Sequence, residues 1–130
     1  MSLKNVRKEL VENQIKQLSQ VSSNKALEDV AKKHYKMGND YIIEKNYSLS
    51  FHSYYLSFNE YASIIVSKKA KELVDSKEAI EFLIKKGELK KDVLSELRDL
   101  YVRVGNREHL ERKHCVMIRD MVVNLRKQVN

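Results

Sequence analysis

Residues that interrupt regular structure are scarce in this chain of 130 residues. It has no proline and only three glycines, Gly38, Gly87 and Gly105. A β-rich fold needs many tight turns, and those turns favour Gly, Pro and Asn. Few such residues, combined with many Lys, Glu and Leu, therefore predict long helices with short connections.

Cysteine and long apolar runs are scarce as well. Cys115 is the single cysteine, so an intramolecular disulfide is excluded, which is typical of a reducing cytoplasm. No apolar run approaches the roughly 18 residues of a membrane span. The first residues, MSLKNVRKEL, carry charges where a secretory signal would have an apolar core. We therefore expect a cytoplasmic protein without a membrane partner.

The chain carries an excess of positive charge. Lys and Arg number 25 against 18 Asp and Glu, so the formal net charge is +7. Such an excess attracts polyanions over a distance that shrinks as salt rises. Nucleic acid, a nucleotide and an acidic protein are all candidate partners. The simpler interpretation is that lysines solvate the helix surfaces.

Apolar periodicity predicts an all-α fold in one domain, residues 1–130. An appended N-terminal helix lies within residues 1–22, with an apolar stripe at residues 6–18, and the polar stretch 19–24 is a linker. Asn24 is the predicted N-cap of a bundle spanning residues 24–128. We expect an antiparallel, up-and-down four-helix core with one short inserted helix. The bundle helices are predicted at 24–45, 48–69, 76–86, 90–104 and 107–128. The second of them is apolar around much of its circumference, which predicts a central position.

The segment around Gly105 and Asn106 is the most informative part of the chain, and two geometries compete there. If the helix continues through Gly105, Arg103 and His114 share a face and His109 points elsewhere. If Gly105 instead ends one helix and Asn106 caps the next, His109 lies in the first turn of the last helix, close to Arg103. The Gly–Asn pair and the acidic residue that follows in the first turn favour this second form.

The broken form brings together groups that suit phosphate chemistry. The Arg103 guanidinium can hold a phosphate oxygen, and His109 can transfer a proton near neutral pH. Asn106 can orient either partner. Arg107, Arg112 and His114 follow closely and are candidate nucleic-acid-binding residues. The alternative is structural: the arginines pair with surface carboxylates and His109 is an ordinary residue near a helix start.

Other candidate sites are weaker. His109 and His114 are five residues apart, which does not suit two metal ligands on one helical face, and no cluster of Cys or carboxylates completes a site. We therefore predict no metal site and no cofactor. The tyrosines can stack on bases, although tyrosine at helical spacing is more often part of a core.

Three segments resemble the HEPN superfamily, the higher eukaryotes and prokaryotes nucleotide-binding domain. They are NDYIIEKNYSLSFHSYYLSF with the pair Tyr54–Tyr55, FLIKKGEL before the penultimate helix, and an Arg–His pair with five residues between, Arg103 and His109. The resemblance covers about residues 25–126. The family commonly has a polar residue directly after the Arg, where this chain has Val104.

The resemblance implies a four-helix-bundle core that forms a homodimer and brings two Arg–His motifs into one cleft. Many members are metal-independent endoribonucleases of toxin–antitoxin or defence systems. By that likeness Arg103, His109 and Asn106 are expected to be catalytic. Other members are inactive and bind nucleotide, RNA or protein, frequently beside a minimal nucleotidyltransferase. A nucleotidyltransferase-type antitoxin is therefore an expected partner.

Overall fold

The computed structural model describes the backbone of residues 3–129 and the side chains of residues 23–129. Within that range it contains five helices and no strand, so the predicted all-α class is confirmed. The helices are α1 (Leu3–Ile43), α2 (Tyr47–Ala70), α3 (Ser76–Lys85), α4 (Lys91–Gly105) and α5 (Arg112–Val129).

The first helix is longer than predicted. α1 continues for 41 residues without a break, so the predicted linker at 19–24 and the separate appended helix at 1–22 are wrong. That stretch contains no Gly or Pro, and Ser, Gln and Asn each cost only about 0.5 kcal/mol in a helix interior. Asn24 is not an N-cap but a buried residue inside α1. The predicted apolar stripe at residues 6–18 lies outside the range whose side chains are described.

α1 and α2 pack against each other at unusually close range. The Ser57 hydroxyl donates to the Ala31 carbonyl at 2.9 Å, and the Ser50 hydroxyl donates to the Gly38 carbonyl at 2.8 Å. The contacts run in opposite directions along the two helices, so the pair is antiparallel. The absence of a side chain at Gly38 leaves room for the Tyr54 ring, since a Cβ there would lie 2.5 Å from two ring carbons.

α2 is the central helix, as its apolar pattern predicts. α1, α3, α4 and α5 all pack on it. Its aromatic and aliphatic side chains form much of the core, and small serines fill the positions where neighbouring backbones come closest. The fully buried large residues of α2 are Phe51, Tyr54, Phe58, Tyr61 and Ile64.

The order and direction of the helices set the position of the site. The ion pair Lys69–Glu88 and the stack of Tyr55 on Tyr101 make α4 antiparallel to α2. The Sγ–H of Cys115, near the start of α5, donates to the carbonyl of Tyr47, the first residue of α2, at 3.2 Å. The α1–α2 turn and the α4–α5 loop therefore lie at the same end of the bundle.

The short helix α3 and its connections agree with the prediction in outline. Asp75, rather than Ser76, is the N-cap, and its carboxylate accepts from the Glu78 N–H at 2.9 Å. Gly87 follows the helix with a φ of 75°, the left-handed conformation that glycine adopts at low cost. None of the helices within residues 3–129 combines the length and apolar character that a membrane span requires.

Candidate functional site at the helix junction

α4 ends in a hydrogen-bonded turn whose centre is Arg107. The Arg107 N–H bonds to the Val104 carbonyl at 3.1 Å and the Glu108 N–H to the Arg103 carbonyl at 2.9 Å, the paired bonds of a Schellman motif. Arg107 has a φ of 57°. The predicted break is therefore present, but two of its details are wrong. Gly105 is the last helical residue, and Asn106 is the C-cap of α4 rather than the N-cap of α5.

The α4–α5 loop is fastened to α4 by an arginine. Nη2 of Arg103 donates to the backbone carbonyl of His109 at 2.6 Å. Arg103 is half-buried and the His109 side chain is exposed. The two residues of the predicted catalytic pair therefore lie together, joined through the backbone of one and the side chain of the other.

The last helix begins five residues later than predicted, at Arg112. His109 consequently lies in the loop and not in the first helical turn. The start of α5 is capped by His114, whose Nδ1 accepts from the Glu111 N–H at 3.0 Å. This contact corresponds to half of a capping box, in which the third helical residue bonds back to the N-cap backbone. It requires an unprotonated Nδ1 and leaves the proton of the neutral ring on Nε2.

Electrostatics at the start of α5 favour this neutral ring. Burial first, and then the charges of Arg103 and Lys113, lower the pKa of His114 below its usual 6.5. The neighbouring carboxylate of Glu111 lies 3.2 Å from Nζ of Lys113. That lysine lowers the pKa of Glu111, and His114 and His109 lower it further. Arg103, His109, Glu111 and His114 therefore lie close enough for their charges to affect one another.

The remaining predicted site residues lie near this cluster in the chain but are not hydrogen-bonded or ion-paired to its two central residues. Asn106, Arg107 and Arg112 are all exposed. Within residues 23–129 no side-chain hydrogen bond or ion pair joins any of them to Arg103 or His109. The segment 103–114 holds four cationic side chains against two carboxylates, so its surface is positive even with neutral histidines.

A depression of about 340 Å³ adjoins His109, and apart from that histidine its lining residues were not among the predicted site residues. It lies between the α4–α5 loop and the α1–α2 turn, and its walls are formed by His109, Leu110 and residues 44–48. Leu110 is fully buried beside it and fixes the loop. The sequence indicates this depression only indirectly, because the predicted up-and-down topology places the α1–α2 turn and the α4–α5 loop at the same end of the bundle.

Stacked rings continue the surface along α4. Tyr101, two residues before Arg103, stacks on Tyr55 with a centroid distance of 4.1 Å and on His52 at 5.6 Å. These three rings are partly exposed and join α4 to α2. They serve chiefly as packing between the helices, in agreement with the core interpretation of the tyrosines.

Neither a metal cluster nor a known relative adds to this description. Within the described residues no group of three His, Cys, Asp or Glu side chains is arranged to hold a metal ion. Comparison of the chain with models of known protein families, with curated proteins and with solved structures gave no match. The geometry of the junction and the resemblance of its residues therefore carry the functional argument.

Proposed function

We propose that the protein binds RNA at the α4–α5 junction and cleaves it without a metal ion, as a HEPN-like endoribonuclease of the toxin–antitoxin or defence type. The observation that supports this proposal most directly is the hydrogen bond from Arg103 to the His109 carbonyl. It holds the positively charged loop that carries the exposed His109 imidazole against the guanidinium near the end of α4, beside an open depression. Such a surface attracts the phosphates of a polyanion.

The chemistry would be an internal transfer of the RNA phosphate. His109 accepts the proton of the ribose 2′-hydroxyl while that oxygen attacks the adjacent phosphorus. The bond from phosphorus to the 5′-oxygen breaks, and the same imidazole returns its proton to the departing oxygen. The products are a 2′,3′-cyclic phosphate and a 5′-hydroxyl end. Remaining N–H donors of Arg103 stabilise the charge on the phosphate oxygens, and Asn106 orients the substrate.

The proposed active form is a homodimer, with a nucleotidyltransferase-type antitoxin as its partner in the cell. The dimer follows from the family resemblance, and an exposed apolar side chain beside the site supports it. Val102, the residue before Arg103, is 58% exposed, and a second copy covering it would bring the two junctions near each other. Light scattering of the purified protein tests this part of the proposal: a monomeric mass at high concentration would contradict it.

A second function has its own support. The Arg103 guanidinium already binds a backbone carbonyl, and an apolar residue, Val104, follows it. Both features suit an arginine that shapes the loop, and therefore a binding module that holds RNA or nucleotide without cutting it. This version keeps salt-sensitive RNA binding and tolerates His109→Ala. A bundle that binds only proteins would show no such RNA binding.

RNA binding is best tested by fluorescence anisotropy of a labelled single strand at several salt concentrations. The logarithm of the binding constant falls linearly with the logarithm of the salt concentration. Each phosphate of a single strand that the protein neutralises contributes about −0.7 to that slope. Arg107→Glu combined with Arg112→Glu should weaken binding and flatten this slope. The matched control is Lys33→Glu combined with Lys36→Glu, an equal charge change at exposed positions of α1. Equal losses in the two double variants would contradict a binding surface at the junction.

A further inference from the structure

A second concave surface lies at the other end of α4, away from the junction. α3 and α4 both pack on α2 and leave a groove of about 320 Å³ between them. That volume lies at the lower end of the range for binding pockets in proteins. The groove is lined by Glu81, Ile84, Lys85, Lys91, Leu94, Ser95 and Arg98. None of these residues belongs to the RNA site proposed above.

The floor and the rim of the groove differ in chemistry. Ile84 from α3 and Leu94 from α4 provide an aliphatic floor. Lys85, Lys91 and Arg98 stand around it as exposed cations, against one carboxylate. None of the three cations forms an ion pair with another residue in the range 23–129. The rim is therefore positively charged, and its cations can pair with carboxylates of a partner.

This combination fits a protein segment better than a nucleic acid. Aliphatic floors accept Leu, Ile or Val side chains, and an amphipathic helix laid into a groove uses such side chains as anchors. Single-stranded RNA relies on stacking of its bases on aromatic rings, and none of the described residues that line the groove is aromatic. Carboxylates flanking the anchors would face the unpaired cations, which gives charge complementarity across the interface.

We infer that the α3–α4 groove is the docking site for an acidic, amphipathic segment of a partner protein. The segment places aliphatic side chains over Ile84 and Leu94 and carboxylates beside Lys85, Lys91 and Arg98. This inference is independent of the RNA site, because it concerns other residues at the opposite end of α4. A protein that failed to bind RNA would still be expected to dock such a segment.

The test uses a fluorescein-labelled synthetic helix of Glu and Leu at amphipathic spacing, with a Lys-for-Glu helix as the comparison probe. Anisotropy should show saturable, salt-sensitive binding of the acidic probe to the full chain and none of the basic probe. Lys91→Glu combined with Arg98→Glu should weaken binding by about tenfold or more. The double variant Lys33→Glu, Lys36→Glu, which changes the charge equally on α1, should bind like the unaltered protein.

A steric variant separates docking from simple charge attraction. Ser95 is exposed on the groove wall, so Ser95→Trp leaves the net charge and the core unchanged while filling the groove. We expect it to abolish saturable binding of the acidic probe, with circular dichroism verifying the fold. Absence of binding by the unaltered protein up to about 1 mM probe, or binding indifferent to Ser95→Trp, would overturn the inference. Displacement of the acidic probe by an RNA strand from the same groove would also overturn it, in favour of a nucleic-acid surface.

Discussion

Replacement of Gly38 by alanine tests the close packing of α1 on the central helix α2. The added Cβ would lie 2.5 Å from Cδ1 and Cε1 of Tyr54 and 2.8 Å from its Cζ. Carbon atoms in contact normally stay about 3.5–4.0 Å apart, so the substitution is short of room by roughly 1 Å. Either the ring or the helix must move.

The surroundings of Tyr54 resist that movement. The residue is fully buried, its hydroxyl donates to Oδ1 of Asn39 at 2.5 Å, and its ring lies against Tyr35 with a centroid distance of 5.8 Å. Overpacking of this kind costs about 1–3 kcal/mol. Alanine recovers about 1 kcal/mol over glycine as a helix former. We expect Gly38→Ala to lower the free energy of unfolding by up to about 2 kcal/mol and the melting temperature by up to about 8 °C.

Gly105 provides the matched control. It is also helical, but among the described residues no atom beyond its chain neighbours and the adjacent backbone of α4 lies within 4 Å of the Cβ that alanine would add. Gly105→Ala should therefore raise the free energy of unfolding by about 0.5 kcal/mol, since only the conformational terms remain. Urea unfolding followed by circular dichroism measures both variants. The reasoning is refuted if Gly38→Ala stabilises the protein as much as Gly105→Ala does.

Three further predictions concern the junction. Because the pKa of His114 is lowered in the folded state, the unfolded chain binds a proton more readily. This residue's contribution to stability is therefore present above about pH 6.5 and is lost as the pH falls through the folded pKa. His114→Asn should make the urea midpoint depend less on pH between pH 7.5 and pH 5, and an unchanged pH dependence would contradict the capping role. Arg103→Ala should cost about 1 kcal/mol by removing the bond to the His109 carbonyl and should speed hydrogen exchange in residues 106–111, whereas unaltered exchange would mean that the loop does not depend on it. Burial raises the pKa of the Cys115 thiol, so a disulfide reagent should react with it slowly in the native protein and rapidly in urea; fast native reaction would contradict a thiol packed against the α1–α2 turn.

The fold was predictable where apolar periodicity and strong local signals agree. The central position of α2, the short α3 and the glycine turn at Gly87 all follow from such signals. The prediction failed where a weak signal was given too much weight. The polar run at 19–24 resembles a linker, yet it contains no Gly or Pro, and residues with modest helix propensity did not end the helix there.

The closeness of Arg103 and His109 was predictable, whereas the geometry of the junction was not. The arginine and histidine were identified from residue type and spacing, and the structure brings them together through a backbone carbonyl. The left-handed residue of the junction is Arg107 rather than Gly105, because the two hydrogen bonds of the turn close two positions later than the glycine indicated. The capping role of His114 depends on where α5 begins, and the wall formed by residues 44–48 depends on tertiary contacts. Neither the capping role nor the wall can be deduced from the local sequence.

The central claim is that the junction is a ribonuclease site, and one assay tests it most directly. Purified protein is incubated with a mixed single-stranded RNA in EDTA, beside His109→Ala and beside the α1 control Lys33→Glu, Lys36→Glu. The account predicts cleavage by the unaltered protein and the control, with 2′,3′-cyclic phosphate ends, and none by His109→Ala. Cleavage that persists in His109→Ala, or intact RNA in every sample, would contradict it.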